Sequence, residues 1–489
     1  MQRSVVRYLL GRILLVEAIL LILPLLVSLL YQEPLSQQLS YLSVIALVAL
    51  IGFTFSWKQP PNFKIHARDG VISVALSWIL MSFFGALPLV ISGEIPHLVD
   101  AFFEISSGFT TTGSSILQDL SVLHHSSLFW RSFTHLIGGM GVLVFTLAIL
   151  PNSGSDSVQL MRAEVPGPIF GKLVSRLSQT AQILYGIYLL MTAILVFILC
   201  LVKVPFFDAL LLAFGTAGTG GFSVNNGGFQ IYEYPHLVEW IIGFGMLLFG
   251  INFNLYFLIF IGHIKDVFKD EELKYYLGII TSAVILIVVN LYHMQVPLTG
   301  AIRSVFFTVA SLITTTGFST VDFGQWPLFS QTLLLLLMFI GGCAGSTAGG
   351  IKVSRIVMYF KVLVAEFKRA GQPRRVIVPK FSGKPITQQV ETKVVNYLLV
   401  YIMIFIVILL SVSFEVNDFI TAFSSVAATF NNIGPGLGQV GPIQNYSGYS
   451  DWNKILLSIG MLAGRLEIYP IILLFAPTTL MKFVKGNRK

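Results

Sequence analysis

The sequence predicts an all-α polytopic membrane protein, with four pseudo-symmetric helix–pore-loop–helix units around one central pore, plus two N-terminal transmembrane helices. Three observations carry that expectation. The chain is 55% apolar and 11% charged with a mean hydropathy of +0.80, against the ~25% charge usual in a soluble domain. Uncharged or nearly uncharged stretches long enough to cross ~30 Å of hydrocarbon recur from end to end. A short glycine-centred motif occurs four times at nearly regular separations.

Ten such stretches read as spans, and lipid-exposed backbone must bond to itself, so they are expected to be helices. Ile13–Tyr31 and Leu42–Trp57 form a leading pair within residues 1–68. Glu17 lies in the first, which runs on into further spans without a small-residue cleavage site, and so reads as a retained helix rather than a signal peptide. Val71–Gly93 and Phe133–Pro151 bound a first unit, 69–160, and Leu177–Val202 and Trp240–Ile264 a second, 161–270. Tyr275–Val296 and Thr332–Met358 belong to a third, 271–372, and Val394–Phe414 and Ile455–Phe475 to a fourth, 373–489.

The charges give the orientation. Arg3, Arg7, Arg12, Lys58, Lys64, Arg68, Arg162, Lys172, Arg176, Lys265, Lys269 and Lys274 fall in alternate loops, with the basic run Lys361–Lys384 and the tail Lys482, Lys485, Arg488 and Lys489 on the same side. The intervening loops hold only Arg131, Lys203, Arg303 and Lys454. By the positive-inside rule both termini and the basic loops are cytoplasmic. The net charge of +8 therefore reports topology rather than nucleic-acid binding. Two cysteines, Cys200 and Cys343, exclude a disulfide framework or a Cys-rich metal site. His124-His125 lacks metal-ligand spacing, and His135, His263 and His293 read as interfacial groups near helix ends. No span pairs a nucleophile with a base, which argues against an enzyme.

The four motifs are Ser107-Gly-Phe-Thr-Thr-Thr-Gly113-Ser-Ser115, Thr216-Ala-Gly-Thr-Gly-Gly221-Phe-Ser223, Thr314-Thr-Thr-Gly317-Phe-Ser-Thr320 and Asn431-Asn-Ile-Gly434-Pro-Gly436. Their central glycines are 108, 96 and 117 residues apart. Before each lies an apolar stretch, Asp100–Thr110, Asp208–Gly218, Ile302–Ile313 and Asp418–Phe430. At ~1.5 Å per residue such a helix covers about half the bilayer, as a re-entrant segment does. Three open with aspartate, a favoured N-cap, and Thr299 is nearby for the third. Four copies in four equally oriented units are hard to ascribe to helix packing alone.

A half-helix entering from outside ends near mid-membrane with about half a negative charge at its carbonyl pole. Four of them around one axis favour a cation. Glycine lets the returning loop turn carbonyl oxygens toward the axis, and rings of carbonyls replace the hydration of a monovalent cation. Thr111, Thr112, Thr219, Thr315 and Thr316 add small hydroxyl side chains. Asp119 and Asp322, six and five residues past their glycines, read either as an outer mouth that attracts cations or as solvated loop acids.

The second span of the third unit is interrupted by Gly341-Gly-Cys-Ala-Gly-Ser-Thr-Ala-Gly-Gly350, then Ile351-Lys352. Five glycines in ten positions cost about 5 kcal/mol of helix propensity, so a break is expected there, able to plug a cavity or swing aside. Arg465 and Glu467 are the charges inside the last span. They read as a mutual ion pair, or Arg465 faces the conduit as an electrostatic barrier. A carrier coupled to sodium or protons would show inverted repeats and buried acids. Here the units run one way and buried carboxylates look nearly absent apart from Glu467.

The four motifs resemble those of the TrkH/KtrB superfamily of potassium transport membrane subunits, over essentially the whole chain, and the leading helix pair resembles the TrkH branch. The resemblance implies potassium as the transported ion, with no organic cofactor. It also implies ion-lining carbonyls from Thr111, Thr112, Gly113, Thr219, Gly220, Gly221, Thr315, Thr316, Gly317, Asn432, Ile433 and Gly434. Glycine rather than serine at 113 implies potassium over sodium. The segment Gly341, Gly342, Gly345, Gly349, Gly350 and Lys352, with Arg465 and Glu467, would form the intramembrane gate. A bacterial inner membrane, a homodimer and a TrkA-type cytosolic nucleotide-binding ring are implied too. The basic stretch Lys361–Lys384 is the docking candidate for that ring or for lipid head groups.

Overall fold

The computed structural model describes residues 2–61, 66–141, 177–293, 297–372 and 374–476. The expected end of Phe133–Pro151, the end of Tyr275–Val296, Lys64, Arg162, Lys172, Arg176, Pro373 and the basic tail lie outside the described residues. Apart from a two-residue hairpin, Lys380–Phe381 with Lys384–Pro385, the described elements are helices.

Among the described residues six helices are long and apolar enough to cross a membrane, or seven if the bent pair Pro235–Phe249 and Phe253–Phe260 is one span. The leading pair is Arg3–Leu20, running on through Ile22–Leu30, and Leu35–Ser56. These two helices meet where Gly11 and Gly52 face each other: a side chain on Gly11 would lie 2.7 Å from the Gly52 carbonyl oxygen. The first helices of the four units are Ala67–Ser92, Leu177–Leu201, Glu271–Tyr292 and Gln388–Val412. Large apolar side chains such as Leu190, Phe197, Ile285 and Leu410 are exposed, as suits a lipid-facing surface.

The shortfall from ten spans lies in the second helices. The fourth unit's is split into Asp451–Arg465 and Tyr469–Phe475, with Glu467 and Ile468 at positive φ. The third unit's is split into Leu328–Leu337 and Val353–Gly371. The second unit's turns 90° at Gly250–Asn252. The first unit's, His125–Gly139, ends just before the described residues stop. Only the glycine-rich third break was expected. Positive φ at β-branched Ile468 has no compositional mark, and it persists only because the surrounding protein holds it.

Half-helices Leu98–Phe109, Phe206–Gly218, Leu298–Ile313 and Phe419–Phe430 sit between the paired helices, as expected. The capping differs. Only Asp418 is an N-cap, accepting from the amides of Ile420 and Thr421. Asp100 and Asp208 lie inside the first turn, where a carboxylate still complements the helix dipole. Thr299 is likewise within its helix, which starts after Pro297.

Glu17 is fully buried, and both its carboxyl oxygens are unpartnered among the described residues. A buried polar group without a partner costs ~1–3 kcal/mol. Glu17→Leu is therefore expected to raise the thermal stability of the purified protein in detergent. An unchanged or lower melting temperature would contradict the assignment of Glu17 as an uncompensated group.

Candidate functional site

The four half-helices end identically. One turn past the helix an amide donates to the carbonyl five residues back: Thr112 to Ser107, Gly220 to Gly215, Thr316 to Ser311 and Ile433 to Ala428, each at 2.8 Å. This is the Schellman pattern, which places the preceding residue in the left-handed region. Those residues are Thr111, Thr219, Thr315 and Asn432, with φ of 55°, 55°, 54° and 57°. Glycine usually fills such a position. Threonine there costs ~1–3 kcal/mol, a strain the tightly packed surroundings must hold. The second residue on from each is the motif glycine, again at positive φ: Gly113, Gly221, Gly317 and Gly434.

The four strands close on one another. A β-carbon on Gly113 would lie 2.1 Å from the carbonyl oxygen of Gly220; on Gly221, 1.9 Å from that of Thr316; on Gly317, 1.9 Å from that of Ile433; and on Gly434, 2.8 Å from that of Thr112. Each glycine thus abuts the carbonyl of the residue before the next glycine, and the series returns to its start. Glycine is required at these points by the neighbouring strand as well as by its own φ.

The side chains differ between strands. Thr112 and Thr316 hydroxyls bond to Thr110 and Thr314 at 2.7 and 2.8 Å. Asn432 donates to Thr112 Oγ1 and to the Met461 carbonyl. Thr219 Oγ1 donates to the Gly218 carbonyl, and the buried Thr111 hydroxyl has no partner among the described residues. The Gly434 oxygen, expected to face an ion, accepts from both Ser114 Oγ and Tyr446 OH, at 3.1 and 2.9 Å. With two donors on its two lone pairs it is a structural acceptor. Asp119 and Asp322 cap short turns by accepting from the amides of Ser121 and Gly324. Hydrogen bonds from Ser121 and Asn226 also hold the exposed Asp119 carboxyl below the usual range, so it keeps its charge.

Residues 338–352 between the two halves of the third unit's second helix lie against the ring. The Gly349 amide donates to Thr315 Oγ1 at 2.6 Å, and a β-carbon on Gly349 would lie 2.6 Å from the Asn431 carbonyl. Gly341 abuts Gly349 within the segment, where a β-carbon would be 2.0 Å from its oxygen. The broken second unit holds the other side: Cys343 donates to the Gly250 carbonyl, Phe253 to Gly345, and Thr347 Oγ1 to Phe249. Gly342 and Gly345 pack on Gly250 and Asn252, and Gly350 takes a positive φ beside Gly341. Lys352 is buried with its ammonium on the Ala348 carbonyl.

Arg465 reaches across the assembly. Its guanidinium donates to the Thr347 carbonyl and to the Gly139 carbonyl, both at 2.7 Å, and also to that of Gly138. It joins the interrupting segment to the end of the first unit's second helix. The alternative of a mutual Arg465–Glu467 ion pair is not the one formed. Glu467 pairs with Arg355 at 2.7 Å, and Arg355 lies 4.1 Å over the Tyr397 ring.

Sequence reading missed Arg355 and Glu272. One Glu272 oxygen accepts from the amides of Ala344 and Ser354, at 2.7 and 2.9 Å, so it ties the middle of the segment to the start of the helix that follows it. It was hidden as the second residue of its helix, where an acid looks like a solvated first-turn residue. The expectation that buried carboxylates are nearly absent also fails. Glu104 is buried against Arg131 at 2.6 Å and Glu239 against Arg303 at 2.6 Å. A charge within an otherwise apolar half-helix, as at Glu104, was the available signal.

Comparison with known proteins gives one answer. The family model described as TrkH, cation transport protein, matches residues 38–481. The Trk system potassium uptake protein TrkH of Escherichia coli K12 is 36% identical over 468 residues, covering 94% of this chain and 95% of that protein. The Vibrio parahaemolyticus protein of the same name is 34% identical over 486 residues, covering 97% and 99%. The crystal structure of the potassium transporter TrkH from Vibrio parahaemolyticus matches with a TM-score of 0.87 and 32% identity, covering 98% of this chain and 100% of that one.

Proposed function

This chain belongs to the TrkH family of cation transport proteins, and we propose that it carries potassium into the cell through a channel-like pore in the bacterial inner membrane, with both termini cytoplasmic. One observation carries the reading: the four-strand ring in which each motif glycine abuts the next strand's carbonyl, Gly113 on Gly220, Gly221 on Thr316, Gly317 on Ile433 and Gly434 on Thr112. The carbonyls of Thr111, Thr112, Gly113, Thr219, Gly220, Gly221, Thr315, Thr316, Gly317, Asn432 and Ile433 are the filter ligands, and the half-helix dipoles favour the cation. The membrane potential drives entry at ~2.3 kcal/mol per charge per 100 mV.

The segment of residues 338–352 is the gate, held shut by Arg465 and Glu272. A carrier coupled to sodium or protons is the weaker reading, because the four units run in the same direction and Glu104 and Glu239 are already paired with arginines. The working assembly is a homodimer with a TrkA-type nucleotide-binding ring, which docks on the basic stretch Lys361–Lys384.

The test is growth of a potassium-uptake-deficient strain on limiting potassium. The wild-type chain is expected to rescue it. Gly113→Ser is expected to rescue poorly and to raise sodium uptake, because a β-carbon there displaces the Gly220 carbonyl. Equal rescue with unchanged sodium uptake would refute the filter assignment.

A further inference from the structure

We propose that His135, on the first unit's second helix, is the positioning residue for the second filter strand, standing in for the side chain that strand lacks. This rests on the filter reading above and adds how one strand is held. The residue before the motif glycine is Thr112, Thr316 and Ile433 in three strands, each fixed by its own buried side chain. In the second strand it is Gly220, with the most backbone freedom of any residue. Yet the Gly220 carbonyl is the one that closes on Gly113.

His135 fills the gap. The position a β-carbon would take on Gly220 is 2.2 Å from both Cγ and Nδ1 of the imidazole, so the ring occupies the volume that Thr or Ile fills elsewhere. The imidazole stacks on Phe222 of the same strand, centroids 4.3 Å apart and planes at 24°. One turn earlier on that helix, Arg131 covers Phe222 at 4.2 Å, itself anchored to Glu104 of the first half-helix. His135 is fully buried and neither ring nitrogen has a partner among the described residues. With no hydrogen bond to any of those residues, the imidazole acts here through its shape.

The experiment measures sodium, potassium and rubidium uptake in proteoliposomes holding full-length protein. His135→Ala is expected to raise the sodium-to-potassium uptake ratio several-fold, and His135→Phe to keep it. Gly220→Thr alone is expected to be inactive, because the imidazole already fills that space. In the His135→Ala background, Gly220→Thr is expected to return the ratio toward wild type, since the strand then reads Thr-Thr-Gly like the first and third. That rescue is a coupling that loss of fold stability would not produce. A monodisperse His135→Ala protein with the wild-type ratio overturns the proposal, as does an additive double variant. If His135→Ala does not fold, His135→Phe with an altered ratio overturns it equally. Gly113→Ser measured alongside separates the two ideas. A shift there without one at His135→Ala removes only the positioning role, whereas no shift in either removes the filter.

Discussion

Gly317→Ala is expected to reduce potassium uptake to background. A methyl group at 317 would lie 1.9 Å from the Ile433 carbonyl oxygen and 3.0 Å from Pro435 Cδ, on a residue with φ of +85°. Backbone cannot yield there without moving the fourth strand, and alanine at that φ is itself strained by about 1–2 kcal/mol. The cost therefore falls on the carbonyl spacing that would have to match a dehydrated ion. Gly278→Ala is the matched control: it sits on an exposed helical face with nothing within 4 Å. Alanine there is expected to leave uptake unchanged and to favour the helix by up to ~1 kcal/mol. Rubidium or potassium uptake with expression matched by blotting distinguishes them. Wild-type flux in Gly317→Ala would mean that the four strands do not define the conduit.

Arg465→Gln is expected to leave the pathway open without its cytosolic partner. The guanidinium links the Thr347 carbonyl of the interrupting segment to the carbonyls of Gly138 and Gly139 on the first unit. Hydrogen bonds to a charged group contribute ~1.5–3 kcal/mol each, so losing the contact to the segment should shift a closed–open equilibrium about tenfold or more. Removing the cation also removes its repulsion of an ion passing the filter. Glu272→Ala should act in the same direction, since it frees the amides of Ala344 and Ser354. Single-channel open probability of purified protein in bilayers is the measurement. If both variants match wild type, the segment is not a gate held by these contacts.

The two results would bear on different parts of the site, and those parts were not equally legible. The ring of four strands was the clearer. Its residues lie within short contiguous motifs, and repetition at four places marks them against the glycines that merely let helices approach. The break in the third unit was legible for the same reason, because five glycines cluster in ten positions. The breaks at Gly250–Asn252 and at Glu467–Ile468 were not, since no such cluster of glycines marks them. Arg465 was visible as a charge in an apolar stretch, but of its two readings the pair with Glu467, two residues away, is the one the structure does not form.

The sequence by itself determined that the chain is membrane-embedded, where the leading pair and the first helix of each unit fall, and that four glycine segments share one design. Those properties are carried by composition, by apolar run length and by local motifs, all read along a single line. Tertiary structure alone decided the order in which the strands close, which oxygens are taken by protein donors, and that Arg355 rather than Arg465 satisfies Glu467. Most of these contacts join residues far apart in the chain, and those that close the strands run through backbone atoms common to every amino acid, so no side-chain pattern announces them before the helices pack.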